Sequence, residues 1–124
     1  MRVPKERFLD LADQAFEELP ENLRETLYNV EIDVKASPGR EAGRWKGDRG
    51  LLGLYVGATR EEMMSPFSGS YLPSRILLYH RNIEALCQDE AELVRQVRLT
   101  LRHEIAHHLG ISDKELKAKW PEGA

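Results

Sequence analysis

The feature that most constrains this chain is a cluster of histidines inside one predicted helix. Three of the four histidines lie at positions 103, 107 and 108, and Glu104 follows the first of them. Residues four apart lie on one helical face, about 5–6 Å apart between Cβ atoms, so the His103 and His107 imidazoles can converge on one ion. This spacing predicts a divalent metal site, and zinc is the ion most often bound by it.

The pattern HExxH extends to Gly110 and Asp113, which makes it more specific. Given the composition of the chain, the shorter pattern arises by chance in about one such chain in a hundred. With Gly110 and Asp113 included, the chance falls to the order of one in ten thousand. The alternative, a helix that merely carries surface histidines, is therefore disfavoured.

The helical wheel of this segment separates a core stripe from a site stripe. At 100° per residue, the two motif histidines share a more polar stripe with Gln96 and Thr100. The roughly opposite side is apolar and consists of Val94, Val97, Leu101 and Ile105. His108 is rotated by about 100° from His107, so we expect it to pack or to support a ligand and not to bind the ion itself.

Glu104 is expected to be a general base and not a ligand. It points about 100° around the helix from His103. A glutamate beside the first histidine is the usual proton acceptor for a water molecule activated by such a metal. An intact Glu104 favours catalysis, because a site that only binds needs no base.

Composition limits the functional class. The 124 residues, with 41% hydrophobic and 31% charged residues, predict a single globular domain, 1–124. The net charge of −3 argues against a nucleic-acid partner. Arg95, Arg98 and Arg102 lie on one helix side, where we expect a solvated face or local ion pairs.

Redox and membrane features are sparse. Cys87 is the single cysteine and stands in an apolar stretch, so we expect a buried small hydrophobe. No stretch approaches the 18 apolar residues of a membrane span, and the start of the chain has no uninterrupted apolar region like that of a signal peptide. These features predict a cytoplasmic protein without a membrane partner.

The remaining periodicities predict an α+β fold. Apolar residues at helical spacing run from Pro4 to Pro20, and residues 22–28 add a turn of helix. Alternating apolar and charged residues predict a strand at 30–35. Residues 51–56 are predicted as a second strand and Arg75–Arg81 as a third, which is apolar on both faces. Glycine-containing loops are expected between them, a mobile one at 37–50 around Trp45 and another at 57–70 with Met63 and Met64 at its centre.

Two helices close the chain. Asp89 begins the long helix, with Glu92 in capping-box spacing, and Gly110 occupies the position of a left-handed C-terminal cap. Ser112, followed by Glu115, caps a short last helix that reaches about Trp120. The order of elements lacks βαβ alternation, which is typical of α+β proteins.

Most of the chain resembles the zincins, specifically the small bacterial metallopeptidases with a minimal zincin fold and HExxHxxGxxD near the C-terminus. The segments FLDLADQAFEELPENL, LLGLYVG, LPSRILLYHRNIEALC and RHEIAHHLGISD occur in the order seen in that family. The chain has Pro73-Ser74 where such proteins are expected to have Pro-Asp, so no role is carried over to Ser74. The resemblance implies a small three- to four-stranded mixed sheet packed on an N-terminal helix and on the long helix with HExxH.

The resemblance also implies the site. One Zn²⁺ per chain would be held by His103, His107 and Asp113, because Asp113 matches the last position of the family motif. Asp113 is otherwise an acid in the first turn of the last helix, favoured there by the helix dipole; Glu115 and Glu122 are the reserve ligands. A substrate peptide would lie antiparallel to the strand Arg75–Arg81.

The leading hypothesis is a zinc-dependent peptidase that acts on peptide or protein substrates. Glu104 would take a proton from water and pass it to the leaving amine. Tyr71, Tyr79 and His80 are candidates for stabilising the oxyanion, and the spacing selects none of them. Only eleven residues follow Asp113, so the cleft should be shallow, or completed by the two loops or by another subunit.

Two other functions remain open at this stage. The first is a zincin-like module that binds metal or peptide without turnover. The second is a zinc-dependent ribonuclease, which the negative net charge and the absence of a histidine after His108 disfavour. The tail beyond Trp120 is expected to fray and to be dispensable for metal.

Overall fold

The N-terminal helices follow the apolar periodicity of the sequence. The computed structural model describes residues 1–57 and 74–122. Helix α1, Lys5–Glu17, buries one face, and the short α2, Glu21–Glu25, follows it. Each helix begins after a proline, whose missing N–H costs little there because the first N–H groups of a helix have no partner within it. The predicted helix between Pro4 and Pro20 is confirmed.

Three strands form one mixed sheet in the described part of the chain. They are β1 (Val30–Lys35), β2 (Gly53–Val56) and β3 (Ser74–Tyr79). Their order is β1-β3-β2, with β1 parallel and β2 antiparallel to β3. This confirms the α+β class and the small mixed sheet, and it makes β3 the central strand.

The position of β3 corrects one expectation. A substrate cannot pair with Arg75–Arg81, because β1 and β2 already occupy both edges of this strand. Buried side chains at Ile76–Tyr79 are typical of a central strand. The strand also ends at Tyr79, and residues His80–Glu84 form a short helix, α3, that the sequence analysis missed.

The segment before β2 is more ordered than predicted. A 3-10 helical stretch, Arg40–Trp45, interrupted at Gly43 with a φ of 57°, lies where a mobile loop was expected. The carboxylate of Glu41 accepts hydrogen bonds from Lys35 Nζ at 2.6 Å, the Gly39 N–H at 2.8 Å and the Tyr79 hydroxyl at 2.9 Å. These bonds tie the stretch to β1 and β3.

The two C-terminal helices have the predicted caps. In α4, Glu90–Leu109, the Asp89 side chain accepts the N–H of Glu92 at 2.8 Å, and Gly110 ends the helix with a φ of 71°. In α5, Asp113–Lys119, Ser112 and Glu115 form a capping box. The turn at Gly110 brings the start of α5 back towards the last turns of α4.

One apolar core lies between the sheet, α1 and α4. The helix α4 also crosses β2 closely: a Cβ on Gly53 would lie 2.8 Å from Thr100 Cγ2 and 3.1 Å from the Leu77 carbonyl oxygen. Glycine is therefore required where the strand meets the helix. Among the described residues, no helix is long and apolar enough to cross a membrane. Met63 and Met64, predicted at the centre of a loop, lie outside them.

Candidate metal centre

Helix α4 presents both motif histidines on one side. The two imidazole centroids are 4.5 Å apart, and the side chains of His103 and His107 are 50% and 53% exposed. Together with the Glu104 carboxylate, they offer ligand atoms that all lie within 4.8 Å of one another. This donor set suits zinc, which prefers imidazole nitrogen and carboxylate oxygen when no thiolate is present.

Two carboxylates orient these imidazoles. Asp113 Oδ2 accepts a hydrogen bond from His103 Nδ1 at 2.8 Å, and Glu104 Oε1 accepts one from His107 Nδ1 at 3.1 Å. A neutral imidazole that donates from Nδ1 has its lone pair on Nε2. Both Nε2 atoms are therefore prepared to bind an ion, as in the carboxylate–histidine pairs of known zinc sites.

Asp113 thus reaches the site, in contact with His103. Its ligand role stays a prediction, because the group of donor atoms described above does not include it. The reserve ligands have other contacts: Glu115 Oε1 binds the Ser112 hydroxyl at 3.2 Å, and the Glu122 backbone carbonyl accepts from Arg102 at 2.9 Å.

Glu104 is the buried member of the cluster, with 3% exposure. Burial raises the pKa of its carboxyl, and the nearby His107 and His103 oppose that rise. The backbone N–H of Tyr55 in β2 also donates a hydrogen bond to the carboxylate. A carboxylate whose pKa is raised is a stronger base than an ordinary surface glutamate.

His108 packs away from the cluster, as its rotation on the helix predicts. The Thr26 carbonyl, which can only accept, lies 2.9 Å from Nε2, so this nitrogen donates. The Tyr55 hydroxyl lies 2.9 Å from Nδ1 and donates to it when the ring is neutral. His108 therefore links α4 to β2 and to the end of α2.

A cleft of about 470 Å³ opens beside the histidines. Helix α4 forms one side with His103, Glu104 and His107, together with Gln96, Leu99 and Thr100. Trp45 and the segment 50–54 form the other side. The first glycine-containing loop therefore lines one side of the cleft, as the sequence analysis expected of the two loops; the second loop lies, from residue 58 on, outside the described residues.

The candidate oxyanion residues do not reach this cleft where they are described. The buried Tyr79 hydroxyl donates to Glu41, and burial raises the pKa of Tyr79. His80 is buried and bound through Nδ1 to Glu84 Oε2 at 3.1 Å. Tyr71 lies outside the described residues.

Residues away from the cleft show one correction. Arg98 pairs with Glu18 at 3.2 Å, as expected for this helix side. Arg102 is instead buried, and its guanidinium donates to the backbone carbonyls of Trp120 and Glu122. Cys87 is confirmed as buried, and burial raises the pKa of its thiol.

Comparisons with known proteins agree with this arrangement. The model of the zincin-like metallopeptidase family matches residues 27–121. A solved structure described as a conserved hypothetical protein from Thermo thermophilus is similar to this chain, with 26% identity and a TM-score of 0.55. That similarity covers 94% of this chain and 99% of the other. No curated protein matches the chain.

The chain belongs to the zincin-like metallopeptidase family. Membership implies a metal-dependent, peptidase-like fold with zinc binding, and His103, Glu104 and His107 form the group in this chain that could hold the metal.

Proposed function

We propose that this protein is a zinc-dependent peptidase that acts on peptide or protein substrates. The observation that carries the proposal is the buried Glu104 carboxylate between two half-exposed imidazoles, at the side of an open cleft. A buried carboxylate with a raised pKa at the side of a cleft is a candidate catalytic group.

The residues have separate roles in this proposal. His103 and His107 would hold the ion, and Asp113 would be the third ligand once its carboxylate exchanges the hydrogen bond to His103 Nδ1 for the metal. When bound, zinc acts as a Lewis acid that lowers the pKa of water and polarises a carbonyl. Glu104 takes the proton from the attacking water and delivers it to the leaving amine.

Strand β2 is the proposed docking edge for the substrate backbone. The Leu52 carbonyl accepts a hydrogen bond from the Tyr79 N–H at 2.9 Å, so the backbone groups of Leu52 point towards β3. Alternate residues of a strand turn their backbone groups the opposite way, which directs those of Gly53 and Tyr55 away from β3. The Tyr55 N–H is used by Glu104, and among the residues that the structure describes the Gly53 backbone groups are left to pair with an extended peptide.

Metal analysis of three histidine variants tests the site. The wild type should carry one zinc per chain, and His103→Ala and His107→Ala should lose it under the same conditions. The matched control is His108→Gln, which alters the neighbouring histidine outside the cluster and should retain zinc. A fully metallated His103→Ala protein would refute the assignment.

A peptide-library assay tests turnover. Glu104→Gln should keep the metal and the fold and lose hydrolysis by about 10²–10⁴-fold, because the proton acceptor is removed. If the zinc-loaded wild type cleaves nothing in a diverse library, the peptidase proposal fails and a metal- or peptide-binding module without turnover replaces it.

A further inference from the structure

One wall of the cleft is distinct from the metal-binding cluster. It consists of Trp45 and the segment 50–54, and we call it the Trp45 wall. Leu51, Leu52 and Leu54 line it together with Trp45, which is 43% exposed, and Leu99 lines the cleft from α4. A lining of this kind gains free energy by covering an apolar side chain of a ligand.

The wall is held in place by the side chain of Asn82. This buried residue of α3 donates from Nδ2 to the Asp48 carbonyl at 2.9 Å and to the Leu51 carbonyl at 2.7 Å. An amide nitrogen has two hydrogens, so both are used. The turn that leads into the wall is therefore ordered before any ligand arrives, which lowers the entropic cost of binding.

The other end of the wall is held by Glu41. Its bonds to Lys35, Gly39 and Tyr79 fix the 3-10 stretch that ends at Trp45. Neither Asn82 nor Glu41 belongs to the metal-binding group. The wall is thus positioned by contacts that do not involve the metal ligands.

The segment that contains Trp45 is rich in exposed basic residues, although the whole chain has a net charge of −3. The segment 40–50 exposes four basic side chains, those of Arg40, Arg44, Lys46 and Arg49. Asp48 is its exposed carboxylate, since Glu41 is half-buried and paired with Lys35. The Arg44 guanidinium lies 4.4 Å from the centroid of the Trp45 ring, so charge and apolar surface adjoin.

We propose that the Trp45 wall selects polypeptide segments in which a large apolar residue is flanked by acidic residues. The leucines and the indole cover the apolar side chain, and the basic side chains attract the flanking carboxylates. This inference rests on the proposed function in taking a peptide as the ligand. Aromatic and basic residues also bind single-stranded RNA, but the leucine lining favours an aliphatic or aromatic side chain over a stacked base.

Binding measured apart from hydrolysis tests the proposal. Zinc-loaded Glu104→Gln protein is titrated into dye-labelled octapeptides, and fluorescence anisotropy gives Kd. The first peptide has a central phenylalanine between glutamates; the second has lysines for the glutamates, and the third has alanine for the phenylalanine. At an ionic strength of about 0.05 M, we expect the first to bind about tenfold more tightly than either other peptide, with the advantage over the lysine peptide shrinking at high salt.

Two wall variants should separate the preference for acidic residues from the preference for a large apolar residue. Arg44→Glu/Arg49→Glu should abolish the preference for glutamate over lysine. Trp45→Ala should reduce the preference for phenylalanine over alanine and leave the charge preference. The matched control, Lys5→Glu/Lys117→Glu, makes the same change in net charge at exposed positions of α1 and α5 and should leave both preferences intact.

The outcomes separate this inference from the peptidase proposal. Selective binding without cleavage by the wild type would refute the peptidase and support the wall. Cleavage with equal affinity for the three peptides, or no binding of any of them, would refute the wall. The wall would also be refuted if Lys5→Glu/Lys117→Glu lost the preference for glutamate as fully as Arg44→Glu/Arg49→Glu. Tighter binding of an RNA octamer than of the first peptide would refute it as well.

Discussion

At the scale of single residues, the site combines one buried carboxylate with two half-exposed imidazoles. Glu104 is 4% exposed in its side chain, against 50% for His103 and 53% for His107. Burial disfavours the ionised carboxylate, and the nearby imidazoles only partly offset this. In the absence of metal, the base therefore costs the fold stability at neutral pH.

This cost gives a prediction with a definite sign. The folded-state pKa of Glu104 is raised, so its contribution to stability is present below the unfolded pKa and is lost as pH rises through the folded pKa. Metal-free Glu104→Gln has no ionisable group at this position, so its stability does not fall in this way as pH rises. Its melting temperature in EDTA should exceed that of the wild type near pH 8, and the difference should shrink towards pH 4. A difference that grows on acidification would contradict the burial argument.

Asp113 allows a second prediction at this scale. If Asp113 is a ligand, Asp113→Ala should weaken zinc binding strongly. The loss should exceed the 10–100-fold that is typical when a residue that hydrogen-bonds to a ligand is removed. Competition with a chelator of known affinity measures the change. A loss within that range would leave Asp113 as the residue that orients His103 through its 2.8 Å hydrogen bond.

At the scale of elements, the site depends on how closely β2 approaches α4. A Cβ on Gly53 would lie 2.8 Å from Thr100 Cγ2 and 3.4 Å from Glu104 Cγ. The first distance is well inside van der Waals contact. The glycine therefore sets the distance between the docking edge and the helix that carries the base.

Substitution at Gly53 should separate these elements. Gly53→Ala is expected to cost about 1–3 kcal/mol of unfolding free energy, as overpacking does, and to weaken peptide binding. Chemical denaturation measures the first effect. Thr100→Ser removes Cγ2 and keeps the hydroxyl, so the double variant should recover part of the loss. No recovery would place the strain at the Leu77 carbonyl, 3.1 Å from the added Cβ.

At the scale of the whole molecule, Arg102 fastens the C-terminal tail to α4. This residue directly precedes His103 in the sequence and is buried. Its guanidinium donates hydrogen bonds to the backbone carbonyls of Trp120 and Glu122. Burial lowers the pKa of Arg102, which makes these acceptors important for the charged form. The tail is therefore held where the sequence predicted fraying.

Truncation distinguishes a structural tail from a metal-binding one. Deleting residues 121–124 should leave zinc affinity nearly unchanged and cost about 1 kcal/mol at most, because the new carboxylate at Trp120 can replace the lost carbonyl. Arg102→Met should cost about 2–3 kcal/mol, since bonds from a charged donor are lost. Release of zinc by the truncation alone would transfer the third ligand role to Glu122.

Much of the site was predictable because its signals are local. The caps at Asp89, Gly110 and Ser112 are set by residues within four positions, and the 3.6-residue repeat places His103 beside His107. The burial of His108 followed from the same rotation. The sequence of β3 is apolar on both faces, which is typical of a central strand. This pattern predicted the observed position better than the resemblance did, which implied an edge strand.

What the sequence determined by itself was therefore the N-terminal helix, the long helix with its caps, the stripe of His103 and His107, and the family; it missed the short helix α3 and the 3-10 stretch Arg40–Trp45. Only the tertiary structure decided that β2 is the strand beside α4, that Trp45 forms a wall of the cleft, and that Arg102 is buried under the tail. Each of these depends on contacts between residues far apart in the chain, such as Asn82 with Leu51. Periodicity reports which face of an element is apolar, and it does not report which partner covers that face.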